Sequence, residues 1–156
     1  MIITITSGKA CGTTELAAFD AALWNAGIAN YNLIALSSII PQKSKVVIKK
    51  FDKNVTEIGN KLYVVISKAT EKTPGKIACA SVGWVTRKED GSGIFMEEIG
   101  SSEEDVHENI KNGLESVVKY RKGSFGKIKQ HTEKIKCVDK PVCAIVAAVY
   151  KSENWQ

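Results

Sequence analysis

No apolar run in this chain approaches the ~20 residues that a membrane-spanning helix needs. The most apolar stretch, Val142 to Tyr150, is nine residues long, so no membrane partner is expected. Residues 1–15 lack a basic segment followed by an apolar one, and no secretory leader is expected. Cysteine is scarce and unpatterned: Cys11, Cys79, Cys137 and Cys143 make no CxxC, and none stands at metal-ligand spacing from His107 or His131. Neither a metal centre nor a disulfide framework is expected, and free thiols in a cytoplasmic protein are. Phosphate-binding loops, GxGxxG, HExxH and GxSxG are all missing. The net charge is +5, yet no five or six basic residues stand together, so a nucleic-acid partner is not expected either.

What is present is 156 residues with 44% apolar and 25% charged side chains, the make-up of one globular domain, read as residues 1–156. Ile2–Thr6 alternates like a strand, and Ser7–Thr14 reads as a loop with Gly8 and Gly12. Thr13 or Thr14 can cap a helix over Glu15–Asn25, with Leu16, Phe19, Leu23 and Trp24 at helical spacing and Gly27 as its stop. Strands are expected over Tyr31–Leu36, Val46–Phe51, Lys61–Ser67, 76–87 and Ile94–Ile99, the last two forming a hairpin. Ser101 and Glu104 form a capping box for a second helix with Val106, Ile110, Leu114 and Val117 on one face. Two further strands, about 127–138 and 142–150, follow. The pattern is an α+β fold with largely antiparallel sheets.

Three places break their local pattern. Asp20 has Leu16 four residues before it and Leu23 three after it, so its carboxylate lies on or beside an apolar stripe. There it needs a hydrogen bond or a cation, unless it sits wet at the stripe's edge. Ser37–Ser38 ends an apolar strand just before Ile39–Ile40–Pro41. It is either a plain strand end or a site where Ser38 attacks the preceding carbonyl, forms an ester, and eliminates to leave a carbonyl-bearing terminus. In Ile94–Ile99, alternation puts Phe95, Glu97 and Ile99 on one face and Ile94, Met96 and Glu98 on the other. One carboxyl must then share a face with large apolar groups, where desolvation favours its protonated form and suits it to act as an acid. An edge strand with both carboxylates solvated fits the same pattern.

Taken together, these residues resemble the pyruvoyl-dependent arginine decarboxylase family. The likeness lies in Thr13–Thr14–x–Leu16–x–Ala18–Phe19–Asp20, then Leu23, Asn25–Ala26–Gly27–Ile28, Asn32–Leu33–Ile34 and Ser37–Ser38–Ile39. It continues through Gly93–Ile94–Phe95–Met96–Glu97, His131–Thr132 and Cys143–Ala144. The resemblance implies a β-sandwich flanked by helices and self-cleavage between Ser37 and Ser38. The products are a small chain, 1–37, and a large chain, 38–156, whose terminal pyruvoyl group derives from Ser38. It implies conversion of L-arginine to agmatine and carbon dioxide through a Schiff base, with cleaved protomers assembled as a homotrimer and active sites at subunit interfaces. Glu97 is then the acid, Asp20 receives the guanidinium, and Leu16 and Leu23 pack the substrate's methylenes. Ser37 supplies polar contact, and Asn32 assists processing by polarising the cleaved carbonyl.

The chain departs from the family pattern at Ala29 and Tyr31, which would alter substrate fit if that backbone lines the pocket. Six acids between Glu97 and Glu108, with no Lys or Arg among them, can offset the basic net charge toward a cationic substrate. Two other readings stand beside this one: a pyruvoyl-dependent decarboxylase of another amino acid, and a non-enzymatic basic binding module.

Overall fold

The computed structural model describes residues 1–51 and 55–156. Two β-sheets lie face to face, with one helix on each outer surface. The strands are β1 (Ile2–Cys11), β2 (Asn32–Ala35), β3 (Ile39–Ile40), β4 (Lys45–Ile48), β5 (Lys61–Glu71), β6 (Ile77–Thr86), β7 (Gly93–Gly100), β8 (Lys129–Lys136) and β9 (Val142–Glu153). The helices are α1 (Glu15–Ala26) and α2 (Glu103–Val118). The first sheet has the order β2-β5-β9-β1-β4 and the second β3-β7-β6-β8. The second sheet is wholly antiparallel, as expected. The first is mixed, because β4 and β2 return parallel to β1 and β5. Local pattern does not encode strand direction, which the crossovers set.

Strand β9 is the centre of the first sheet, and its apolar run is buried on both faces. Cys143, Ile145, Ala147 and Val149 face α1 with Ala18, Ala22, Leu23 and Ala26. On the other face Val146 and Ala148 meet Val82, Trp84 and Phe95 of the second sheet. Outside the second sheet, Val106, Ile110 and Leu114 of α2 cover Cys79, Val85 and Ile94. The stripe read for α2 is therefore its buried face, while the capping residue shifts by one. Ser102 accepts from Asp105 N at 3.3 Å, because the helix starts at Glu103.

Two local expectations fail at the same place and for the same reason. Residues 7–11 are not a loop but the second half of β1, paired with β9 from Thr4↔Val149 to Cys11↔Val142. Gly8 breaks the alternation because α1 lies directly on it: a Cβ there would stand 2.1 Å from Ala22 O. At that distance only alanines fit beneath the helix, so its buried face is Ala18, Ala22 and Ala26 together with Leu23. Leu16 and Trp24, which share the helical spacing with Leu23, do not share its burial and are 75% and 43% exposed. The helix ends themselves are as expected: Thr14 accepts from Ala17 N at 3.0 Å, and Gly27 closes the helix at φ 87°.

Polar ties also cross between the sheets. His131 Nε2 on β8 lies 3.1 Å from Ser7 Oγ on β1, which donates in turn to Glu133 at 3.3 Å. Burial holds the His131 pKa below its ordinary value. Among the described residues, no helix is long and apolar enough to cross a membrane.

Because backbone, not a flexible side chain, opposes a methyl at position 8, Gly8→Ala is expected to lift α1. The expected loss of unfolding free energy is ~1–3 kcal/mol, read by urea denaturation. An unchanged midpoint would show that α1 is free to move.

Candidate active site

The two sheets are exchanged between Ala35 and Ile39. Strand β2 ends beside β5 in the first sheet, with Leu36 N donating to Val64 O at 2.9 Å. Strand β3 begins in the second, pairing Ile39 with Ile94 and Ile40 with Gly93. Packed sheets lie ~10 Å apart and an extended residue advances ~3.3 Å, so Leu36, Ser37 and Ser38 have just enough length for the crossing. The turn into β3 is made at Ser38, whose φ of 69° is left-handed. A non-glycine residue there carries strain and must be held by its surroundings.

Those surroundings are specific. Ser38 O accepts from Phe95 N at 2.7 Å. Ser38 Oγ donates toward both carboxylate oxygens of Glu97, at 2.8 and 2.9 Å. Glu97 stands opposite Val82 in β7 and shares the inner face with the buried Phe95. The carboxylate read from strand alternation as lying among apolar groups is thus Glu97, and its partner is the serine hydroxyl. Tyr150 adds a contact from β9: its hydroxyl donates to Ile39 O at 2.8 Å, and its ring meets Phe95 edge-on at 6.1 Å. Burial raises the Tyr150 pKa well above the usual phenol range, and the nearby Glu97 carboxylate adds to this. The hydroxyl therefore stays a donor. Ser37 is exposed at the outer side of the crossing.

Asp20 lies elsewhere. On the exposed side of α1, it lines a cavity of about 510 Å³ with Thr14, Leu16, Ala17, Phe19 and Leu23. Phe19 carries the Lys68 ammonium 4.5 Å from its ring centre. Leu16, Asp20 and Leu23 thus border a single hollow, one carboxylate with two aliphatic chains. Neither Ser38 nor Glu97 lines that hollow. The candidate residues thus form two groups in the monomer: Ser38 with Glu97, and Asp20 with Leu16 and Leu23.

Asn32 is in neither group. Its side-chain amide donates to Gly59 O at 2.6 Å and its backbone N to Asn60 O at 2.8 Å. These bonds secure the start of β2, six residues before Ser38. Tyr31 also turns away from the hollow: its hydroxyl donates to Glu57 at 2.7 Å and its ring abuts Phe51. Sequence reading missed Tyr150 and the Phe95 N–H. A tyrosine at the end of an apolar strand looks like core, and a backbone donor leaves no mark in residue identity.

With this geometry in view, comparison with known proteins decides the family. The model of the pyruvoyl-dependent arginine decarboxylase family matches residues 2–154. The chain belongs to this family. A pyruvoyl-dependent arginine decarboxylase of Thermococcus kodakarensis is 32% identical over 146 residues, covering 93% of this chain and 91% of that one. One of Pyrococcus abyssi is 32% identical over 139 residues, covering 88% and 87%. A solved pyruvoyl-dependent histidine decarboxylase superposes with a TM-score of 0.44 at 15% identity, over 59% of this chain and 51% of its own. Pyruvoyl-dependent decarboxylases are lyases whose electron sink is a covalent pyruvoyl group in place of a separate cofactor.

Proposed function

We propose that this chain cleaves itself between Ser37 and Ser38 and then decarboxylates L-arginine to agmatine and carbon dioxide. The observation that carries the reading is the Ser38 hydroxyl set against both oxygens of Glu97 at a left-handed residue in the sheet crossing. Strain at Ser38 would raise the ground state of the bond to be cut, and Glu97 would take the hydroxyl proton as Oγ attacks the Ser37 carbonyl carbon. The acyl group moves from nitrogen to oxygen, leaving an ester. Loss of the Ser38 Cα proton then expels the Ser37 carboxylate. The Phe95 N–H favours that loss by holding Ser38 O, where negative charge gathers. Water finally replaces the nitrogen, and ammonia departs.

The residues present suit a pyruvoyl group at position 38: the carbonyl beside it is already held by Phe95, and a carboxyl group stands at its β-carbon substituent. When formed, the group supplies a ketone that takes up an α-amine and an adjacent amide carbonyl that draws electrons from the bond to the leaving carboxylate. Glu97 would return a proton to carbon, Asp20 would pair with the guanidinium through two oxygens, and Leu16 and Leu23 would pack the methylenes between. Ser37, at the new carboxyl end, would add a polar contact.

Cleavage need not release the small chain. Residues 1–37 include β1, which lies between β9 and β4 in the first sheet, and α1, which covers that sheet's outer face. The separation of Asp20 from Ser38 and Glu97 supports sites shared between subunits of a homotrimer, one protomer offering the α1 hollow and its neighbour the sheet crossing. A cytoplasmic setting belongs to the same reading and is supported by the four unpaired thiols.

Denaturing intact mass is expected to show two species, 1–37 and 38–156, the larger lighter than a serine-ended chain by one ammonia. A single unmodified chain after long incubation would sink the reading. Asp20→Asn should still cleave but lose about 100-fold in kcat/KM for arginine, the worth of a charged hydrogen-bonded pair. Normal arginine turnover by this variant would redirect the substrate assignment to another amino acid. Co-assembling Asp20→Asn with Glu97→Gln subunits, each severely impaired alone, is expected to restore part of the activity. No recovery in mixed oligomers would place both groups of a site in one chain.

A further inference from the structure

Strand β3 consists of Ile39 and Ile40 alone, so the segment after the cut has little sheet to hold it. Before cleavage, Ser38 is restrained on both sides. Upstream, Leu36 N is tied to Val64 O in the first sheet, and downstream Ile39 pairs with Ile94 in the second. Cutting the 37–38 bond removes the upstream restraint and makes residue 38 a chain end, and chain ends fray unless tied down.

We infer that Tyr150 is a positioning residue for that new chain end, clamping Ile39 from the opposite sheet so that residue 38 keeps its place against Glu97 and Phe95. This rests on the self-cleavage proposed above. The hydroxyl of Tyr150 donates to Ile39 O at 2.8 Å, one residue from the reacting position. Its ring stands edge-on to Phe95, whose N–H holds Ser38 O at 2.7 Å. One side chain of β9 therefore touches both the strand carrying the chain end and the residue holding its carbonyl. As β9 is the central strand of the first sheet and is buried from Val142 to Val149, the clamp extends directly from the core.

Tyr150→Phe keeps the ring on Phe95 and removes only the hydroxyl. Intact mass is expected to show complete cleavage, because Ser38, Glu97 and Phe95 keep their contacts while the chain is whole. In the cleaved enzyme, kcat for arginine should fall about tenfold with KM within twofold, the effect of about one hydrogen bond. Hydrogen exchange of the backbone amides of Ile39, Ile40 and Gln42 should quicken about tenfold by the same measure. In an uncleaved Ser38→Ala background, adding Tyr150→Phe should leave that exchange unchanged, since β2 still restrains the segment. Equal quickening in both backgrounds would overturn the inference and make Tyr150 an ordinary tie of the fold. Unchanged exchange and kcat in cleaved Tyr150→Phe, or failure of that variant to cleave when the parent does, would also overturn it. A parent chain that never cleaves would refute the proposed function, and this inference with it.

Discussion

The chain must pass from one sheet to the other in three residues, and the candidate chemistry depends on that crossing. A longer connection could turn through glycine or solvated loop, with no strain at any one position. Here the turn falls on Ser38, in a left-handed conformation that its side chain does not favour. The fold holds it there with contacts to its carbonyl, to its hydroxyl and to the next carbonyl. Strain and restraint occur at the same residue, whose hydroxyl is also the proposed nucleophile. Such coincidence is typical of positions where backbone strain serves function.

The restraint comes from β9 and β7, each paired on both sides within its sheet. Strand β9 is buried on both faces along Val142–Val149, and that is what lets Tyr150 at its end act as a fixed post. In β7, Ile94 and Met96 point to α2, which leaves Phe95 and Glu97 facing the first sheet. A carboxylate on an apolar face is unfavourable unless something meets it. In this chain the hydroxyl of Ser38 meets it. Half-buried beside Phe95, Glu97 turns its two oxygens to that one hydroxyl.

The second group of candidate residues depends on the closeness of α1 to its sheet. With Gly8 beneath it, the helix buries three alanines and Leu23, while Leu16 and Asp20 are left outside. Leu16, Phe19 and Asp20 then border a hollow whose floor includes the edge of Leu23. In the proposed reading, this hollow and the Ser38 crossing are halves of one site. The proposed trimer is the simplest way to join them.

Much of the fold was legible in the chain because it is local. Alternation located most strands, Thr14 and Gly27 bounded α1, and the α2 stripe named its buried face. Alternation in Ile94–Ile99 was enough to place Glu97 with Phe95, and the recurrent spacings from Thr13 to Ile39 were enough to suggest the family. Other features were undecidable at that level. Whether Leu16 faces core or solvent depends on how near α1 lies to β1, a distance set by packing rather than periodicity. The parallel return of β2 and β4, the partner of Asn32 at Gly59 and the reach of Tyr150 to Ile39 each join residues far apart in sequence. Residue identity fixed which groups could react, because hydroxyl, carboxylate and apolar stripe are local properties. Tertiary structure decided which of them meet, because contact across two sheets is set by packing alone.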